Sequence, residues 1–379
     1  MIQNRFRMVE EPPAFIWPSL LKLPSANVSI VYFDLNHWIS LAKASVGHPE
    51  GTSFVETLDA CRVARSAGAA LFVLSSTHYV EMLKIKNPEQ RREVADVMEE
   101  LTDFSTLVSR AVVMELELAA MLDRFALENS PLPMTPLIGR GVRHSFGLQS
   151  GLKFVGPSGD ETDRVREHMG AEDFSSFVEK INVDLERSIL RGPADHNETE
   201  GLLALGWNPR RVIEGAEKRA TEERKQTLRL DIENRWRRGR LRDVISAREF
   251  VIEFLDILPR ALAERGVELA DAIQDQQSAR AFARAMPSTE VSIELKTAWH
   301  RNSQKQWNAN DIYDIDAMSL AVPYCDIVVT EKACHHILNA ARLGERMHTA
   351  ILRDIRELPS MLGHWKPQRT PRGFIPQAL

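Results

Sequence analysis

The chain has 379 residues, 44% hydrophobic and 27% charged, with a net charge of −5. That balance suits one large globular domain or two ordinary ones. It excludes a wholly basic nucleic-acid binder, although a cluster of metal-binding acids would itself pull the total down. Three cysteines without paired spacing argue against a disulfide framework. Residues 1–13 hold no signal-like apolar segment, and no run approaches the ~18 apolar residues of a membrane span. The expectation is a soluble, cytoplasmic protein with no membrane partner.

Pro12, Pro13, Pro18 and Pro24 make residues 1–26 an irregular segment, with Phe15, Ile16 and Trp17 docking on the fold. "VSIVYF" (28–33) is short, β-branched and aromatic, which predicts a buried strand. A helix follows "DLN", and a second spans 53–67 with Gly68 beyond its end. "ALFVL" (70–74) predicts another buried strand. "SST" then offers cap chemistry for a helix through "HYVEMLKI". Asn87 and Pro88 open the next helix, "STLVS" (105–109) is a third strand, and "AVVMELELAAMLDRFAL" returns to helix. The Gly- and Pro-rich stretch 131–160 predicts a long loop, and 161–284 is helical in character throughout. Strand signals return at "DIVVT" (326–330) and "TAILRD" (349–354), with one helix, "KACHHILNAARLGERM", between them. Strands alternating with helices predict an α/β protein, a parallel sheet covered on both faces. Its parts are the segment 1–26, a first part 27–130, a mainly helical insertion 131–295, and a second part 296–379.

In such a sheet, ligands gather at the carboxyl ends of the strands. Asp34 follows the first strand, Glu81 lies on the helix leaving the second, and Glu331 follows "DIVVT". All three belong at one rim. The helix preceding "DIVVT" should run antiparallel to it, which starts it near Glu331. Asp311 and Asp314, spaced i and i+3, share a face there. Asp316 is turned ~200° from Asp314 by the helical period. Asp326 sits at the opposite strand end, roughly 16 Å away at ~3.3 Å per residue. Four or five carboxylates at one point repel unless a cation neutralises them. Hard divalent ions accept such oxygens and suit phosphodiester hydrolysis.

"VYFDLN", "SSTHYVEML" and "DIYDIDAMSLA…CDIVVTEK" together resemble the PIN-domain nucleases. The resemblance covers Val28 to about Ala119 and Asn308 to about Leu358. It implies a PIN-like, Rossmann-like three-layer domain carrying Mg2+ or Mn2+. It also implies that Asp34, Glu81, Asp314 and the acid after Thr330 (Glu331) are metal and catalytic residues, with Asp311 added from the helix face. Asn36 matches that family's Asp-x-Asn form. Asn36, Thr330, Arg301 and Lys305 are expected to meet substrate. Two features depart from the family: its last position often carries Asp, and its compact toxin members lack the helical insertion.

Other residues have plainer readings. Asp316 is expected to be solvated and Asp326 to cap a strand. Glu115 and Glu117 are helix-face acids, one of which could approach the rim. Arg235, Arg237, Arg238, Arg240 and Arg242 surround Trp236, either against phosphate or on a solvated helix with acidic partners. Residues 138–147 form either a basic substrate loop or an ordinary one. Cys334, beside His335 and His336, lacks zinc-site spacing. The expected function is a metal-dependent endoribonuclease, with RNA ahead of DNA as partner. A homo-oligomer or an inhibitory protein are further candidate partners. The alternative is a catalytically weak PIN-like scaffold, and a phosphatase ranks third.

Overall fold

The computed structural model describes residues 15–126, 132–148, 153–193 and 196–364. Pro12, Pro13, residues 131 and 149–152 of the loop stretch, and the chain from 365 onward lie outside them. The protein is an α/β protein built on a parallel sheet of four strands: β1 (Ser29–Phe33), β2 (Ala70–Val73), β5 (Ile327–Val329) and β6 (Ala350–Leu352), in spatial order β6-β5-β1-β2. Two further strands, β3 (Ser105–Leu107) and β4 (Ile138–Arg140), pair antiparallel with each other. They touch the main sheet where Leu74 bridges Thr106.

Alternation along the strands divides the core in two. Ile30, Tyr32 and Val328 point to one face, and Val31, Phe33, Ile327 and Val329 to the other. The second face is covered by α1 (Leu35–Ser45), α2 (Val55–Ser66) and α4 (Pro88–Thr102), through Trp38, Leu41, Leu58 and Met98. The first packs against α5 (Arg110–Leu122), α9 (Pro287–Arg301) and α10 (Ala309–Tyr324), through Val113, Leu295, Ile312 and Ile315. Phe15 and Trp17 dock on that first core, as expected. The central strands β1 and β5 are buried on both sides because both sheet faces carry helices.

Three expectations need correction. Residues 138–147 are β4 followed by a short helix, Gly141–Ser145, rather than loop. The third strand pairs with β4, so it does not extend the parallel sheet beyond the single Leu74 bridge. The helix after Glu331 is broken: α11 (Lys332–Ala340) ends, Arg342 turns left-handed (φ 53°), and Leu343–Met347 begins anew.

The insertion contributes α6 (Ala171–Arg191), α7 (Pro209–Ile232) and α8 (Leu241–Glu253). The expected boundary between 295 and 296 falls inside α9, which runs from the insertion into the second part without a break. No helix among the described residues is long and apolar enough to cross a membrane.

Candidate metal centre

The strand register assembles the rim. Phe33 of β1 lies opposite Val329 of β5, and the Asp34 amide donates to the Val329 carbonyl at 3.0 Å. Asp34 and Glu331 therefore leave neighbouring strands, ~4.8 Å apart, at the same edge. Glu81 arrives on α3 (Ser76–Met82), which His78 fixes against β1. The His78 Nδ1 accepts the Ser75 amide at 2.9 Å, leaving Nε2 to donate to the Phe33 carbonyl at 2.8 Å. Burial holds this imidazole neutral by lowering its pKa to about 4. It is a brace, set directly behind Asp34.

The fourth side is the start of α10. Asn308 caps it by accepting the Asn310 amide at 2.8 Å, while Asp311 returns the bond by accepting the Asn308 amide at 2.9 Å. Asp314 sits one turn further on, on the face turned toward the strands. Its carboxyl feels Asp34, Glu331, Glu81 and Asp311 in turn.

The electrostatics of the group are those of acids without enough cations. Burial first, then the four neighbouring carboxylates, push Asp314 from 3.8 to about 9. Burial raises Glu81 to about 7, with Lys84 opposing and Asp34 adding to the rise. Asp34 and Glu331 are also raised, chiefly by burial. Asp34 occupies the N-cap position of α1 without closing a side-chain cap bond, and nearby amides of Leu35, Asn36 and Glu331 only temper its shift.

Two lysines reach in. Lys84 Nζ lies 3.2 Å from Glu81, 2.6 Å from Asn310 Oδ1 and 4.3 Å from the Tyr313 ring centroid. Lys305 Nζ lies 2.5 Å from Asp311 and sits over the Trp299 ring. Asp311 thus spends one oxygen on the helix cap and one on Lys305. Lys84 and Asn310 escaped the sequence reading, although Lys84 stands three residues after Glu81, in the turn that ends α3.

Cys334 also belongs here. Its sulfur and carboxylate oxygens of Asp314 and Glu331 all lie within 4.8 Å of one another. It is fully buried, and burial together with the adjacent acids holds the thiol well above its ordinary pKa. Thr330, also fully buried, keeps a hydroxyl against that thiol, where it meets no nitrogen or oxygen partner. His335 is half-buried, but His336 is exposed.

Next to Asp34, a polar cleft of about 500 Å³ runs between α1 and the chain after β6, lined by Asn36, His37, Ser40, Arg353, Asp354 and Arg356 among others. The His37 Nε2 is buried there without a partner. Arg301 closes α9 and is exposed, and it forms no ion pair among the described residues.

The remaining acids go elsewhere. Asp316 is not solvated: Arg110 holds one oxygen at 2.8 Å and Arg219 the other at 2.6 Å. Asp326 caps β1 by accepting the Ile30 amide at 2.7 Å. Glu117 is buried at the far end of α10, where Ser288 and Tyr324 donate to it, and Glu115 pairs with Arg260. Neither approaches the rim. The arginines around Trp236 form no single helix. Arg235 and Arg240 stack on the ring, while Arg237 pairs with Asp231 and Arg242 with Glu290 and Glu294. Arg140 of the 138–147 segment is held by Asp103 and Glu179. No family model, curated protein or solved structure matches the chain.

Proposed function

We propose that the protein is a metal-dependent nuclease of PIN-like type, cutting RNA endonucleolytically at the acidic rim. One observation carries this: five carboxylates from three separate parts of the chain meet where the strands end, and burial together with the neighbouring acids lifts Asp314 to about 9. A protein gains nothing in stability from such a cluster unless a cation joins it. The donor set fits a divalent ion, with Asp34, Glu81, Asp314 and Glu331 as the oxygen ligands. When bound, Mg2+ or Mn2+ would supply the positive charge that phosphodiester hydrolysis requires at phosphorus and at the leaving oxygen. Lys84, whose partner Glu81 would face the ion, is placed to hold the phosphate, and Lys305, paired with Asp311, stands on the other side of the rim. The cleft beside Asp34 offers Arg353, Asn36 and Ser40 to the adjoining backbone phosphates.

A second reading, a PIN-like scaffold that binds without cutting, draws on the lysine pairs at Glu81 and Asp311, which already neutralise two of the five acids. A panel of labelled RNA and DNA strands incubated with Mg2+ or Mn2+ separates the two. Wild-type protein should cut internally and Asp34→Asn should not. Equal inertness of both proteins, with strand binding intact, would establish the scaffold instead.

A further inference from the structure

We propose that Cys334 gives this site a second, softer binding mode, in which an ion of the Zn2+ and Cd2+ class is held by its sulfur together with Asp314 and Glu331 and excludes the hard ion. The exclusion rests on the nuclease reading above; the sulfur ligation does not.

Cys334 stands three residues after Glu331, in the first turn of α11, on the side facing Asp314. A small buried apolar residue would satisfy packing at this position. The chain instead puts a sulfur within 4.8 Å of two carboxylate oxygens. Cys61 and Cys325 are buried as well, yet neither belongs to such a group among the described residues. The Thr330 hydroxyl is an independent sign. It is fully buried, meets no nitrogen or oxygen partner, and lies against the Cys334 thiol. A hydroxyl so placed can donate to a sulfur that has given up its proton to a metal, which fixes the orientation of the ligand.

The chemistry then sorts ions by hardness. Two carboxylate oxygens and one sulfur, with a fourth position left over, match the tetrahedral mixed sites taken by zinc. Mg2+ demands an octahedron of oxygens and has little affinity for sulfur. It would therefore use Asp34 and Glu81 with Asp314 and Glu331. A thiophilic ion would settle deeper, against Cys334. Asp314 and Glu331 belong to both sets, so the two modes exclude each other. As the metal–sulfur bond forms, the thiol proton passes to the buffer.

The test uses the full chain, freed of metal, titrated with Cd2+ while its sulfur-to-cadmium charge-transfer band is followed in the near ultraviolet. Wild type should develop a band saturating at one ion per chain, and Zn2+ should quench it. Cys334→Ser should lose the band, with Cys334→Ala as a second variant should serine disturb the core. In parallel, free Mn2+ is counted by its magnetic resonance signal. The ratio of Zn2+ to Mn2+ affinity should fall at least about 10-fold in either variant. An equal band in Cys334→Ser, or none in a wild type that binds Mn2+ normally, would overturn the sulfur mode and leave the carboxylate site standing. A normal cadmium band in a protein that cuts no strand would do the reverse, retaining the sulfur mode and removing the nuclease.

Discussion

Asp314 and Asp316 stand two residues apart on α10, and their surroundings drive them in opposite directions. Asp314 faces other acids at the sheet rim and is pushed to about 9. Asp316 faces Arg110 and Arg219 and is held below its ordinary value. The second region extends well beyond Asp316. Lys296 Nζ lies 2.5 Å from Glu249, 3.2 Å from Glu253 and 3.4 Å from Glu223, while His300 and Arg248 also bond Glu223. This network ties α7 and α8 of the insertion to α5, α9 and α10. Buried acids with matched cations serve as joints, and buried acids without them leave a charge deficit that a ligand can fill. Both regions gather acidic side chains from distant parts of the chain. The cation count separates them.

The largest expected effect lies in the matched region. Lys296→Met leaves three buried carboxylates short of a partner and should cost ~3–5 kcal/mol in denaturant unfolding. A loss below ~1 kcal/mol would remove the distinction between the regions. At the rim, Asp34→Asn should leave the fold intact and lower metal-dependent cleavage by on the order of 100-fold or more, since outer-shell partners alone are worth 10–100-fold.

The aspartate pair sharpens the contrast further. In metal-free protein, Asp314→Asn should raise Tm by a few degrees, whereas Asp316→Asn should lower stability by ~1–3 kcal/mol. Shifts of the same sign would contradict the account. The pH dependence follows from the upward shift. A carboxyl raised from 3.8 to about 9 favours folding most fully below 3.8, and that contribution drains away as pH climbs through about 9. Thermal melts of the metal-free protein should therefore show stability falling across this window, and Asp314→Asn should flatten the fall. The smallest effect is kinetic: Lys305→Ala should raise KM by up to about five-fold, as suits one half-exposed contact.

Much of the rim was legible in the sequence because it depends on local rules. A short β-branched strand ends in Asp34, another ends before Glu331, and the i, i+3 spacing puts Asp311 and Asp314 on one helix face. The same helical period set Asp316 apart, but its partners were beyond reach. Arg110 and Arg219 come from two other helices, and no local pattern tells a solvated aspartate from one they clamp. Cys334 was missed for a related reason. Its spacing to His335 and His336 is uninformative, and its true neighbour, Asp314, comes from the preceding helix across the rim. Strand β4 carries Gly139 between Ile138 and Arg140, so it shows too little alternation to be told from loop. Its pairing with β3 is a tertiary fact.

Binding of Mn2+ to metal-free protein by titration calorimetry, comparing wild type with Asp314→Asn, bears most directly on the central claim. Wild type should take up the ion with release of protons, because Asp314 and Glu81 must give theirs up, and should gain Tm on binding. Asp314→Asn should bind far more weakly and release fewer protons. Equal affinity in the two proteins, or no uptake by either, would mean that the acids converge for some purpose other than holding a cation.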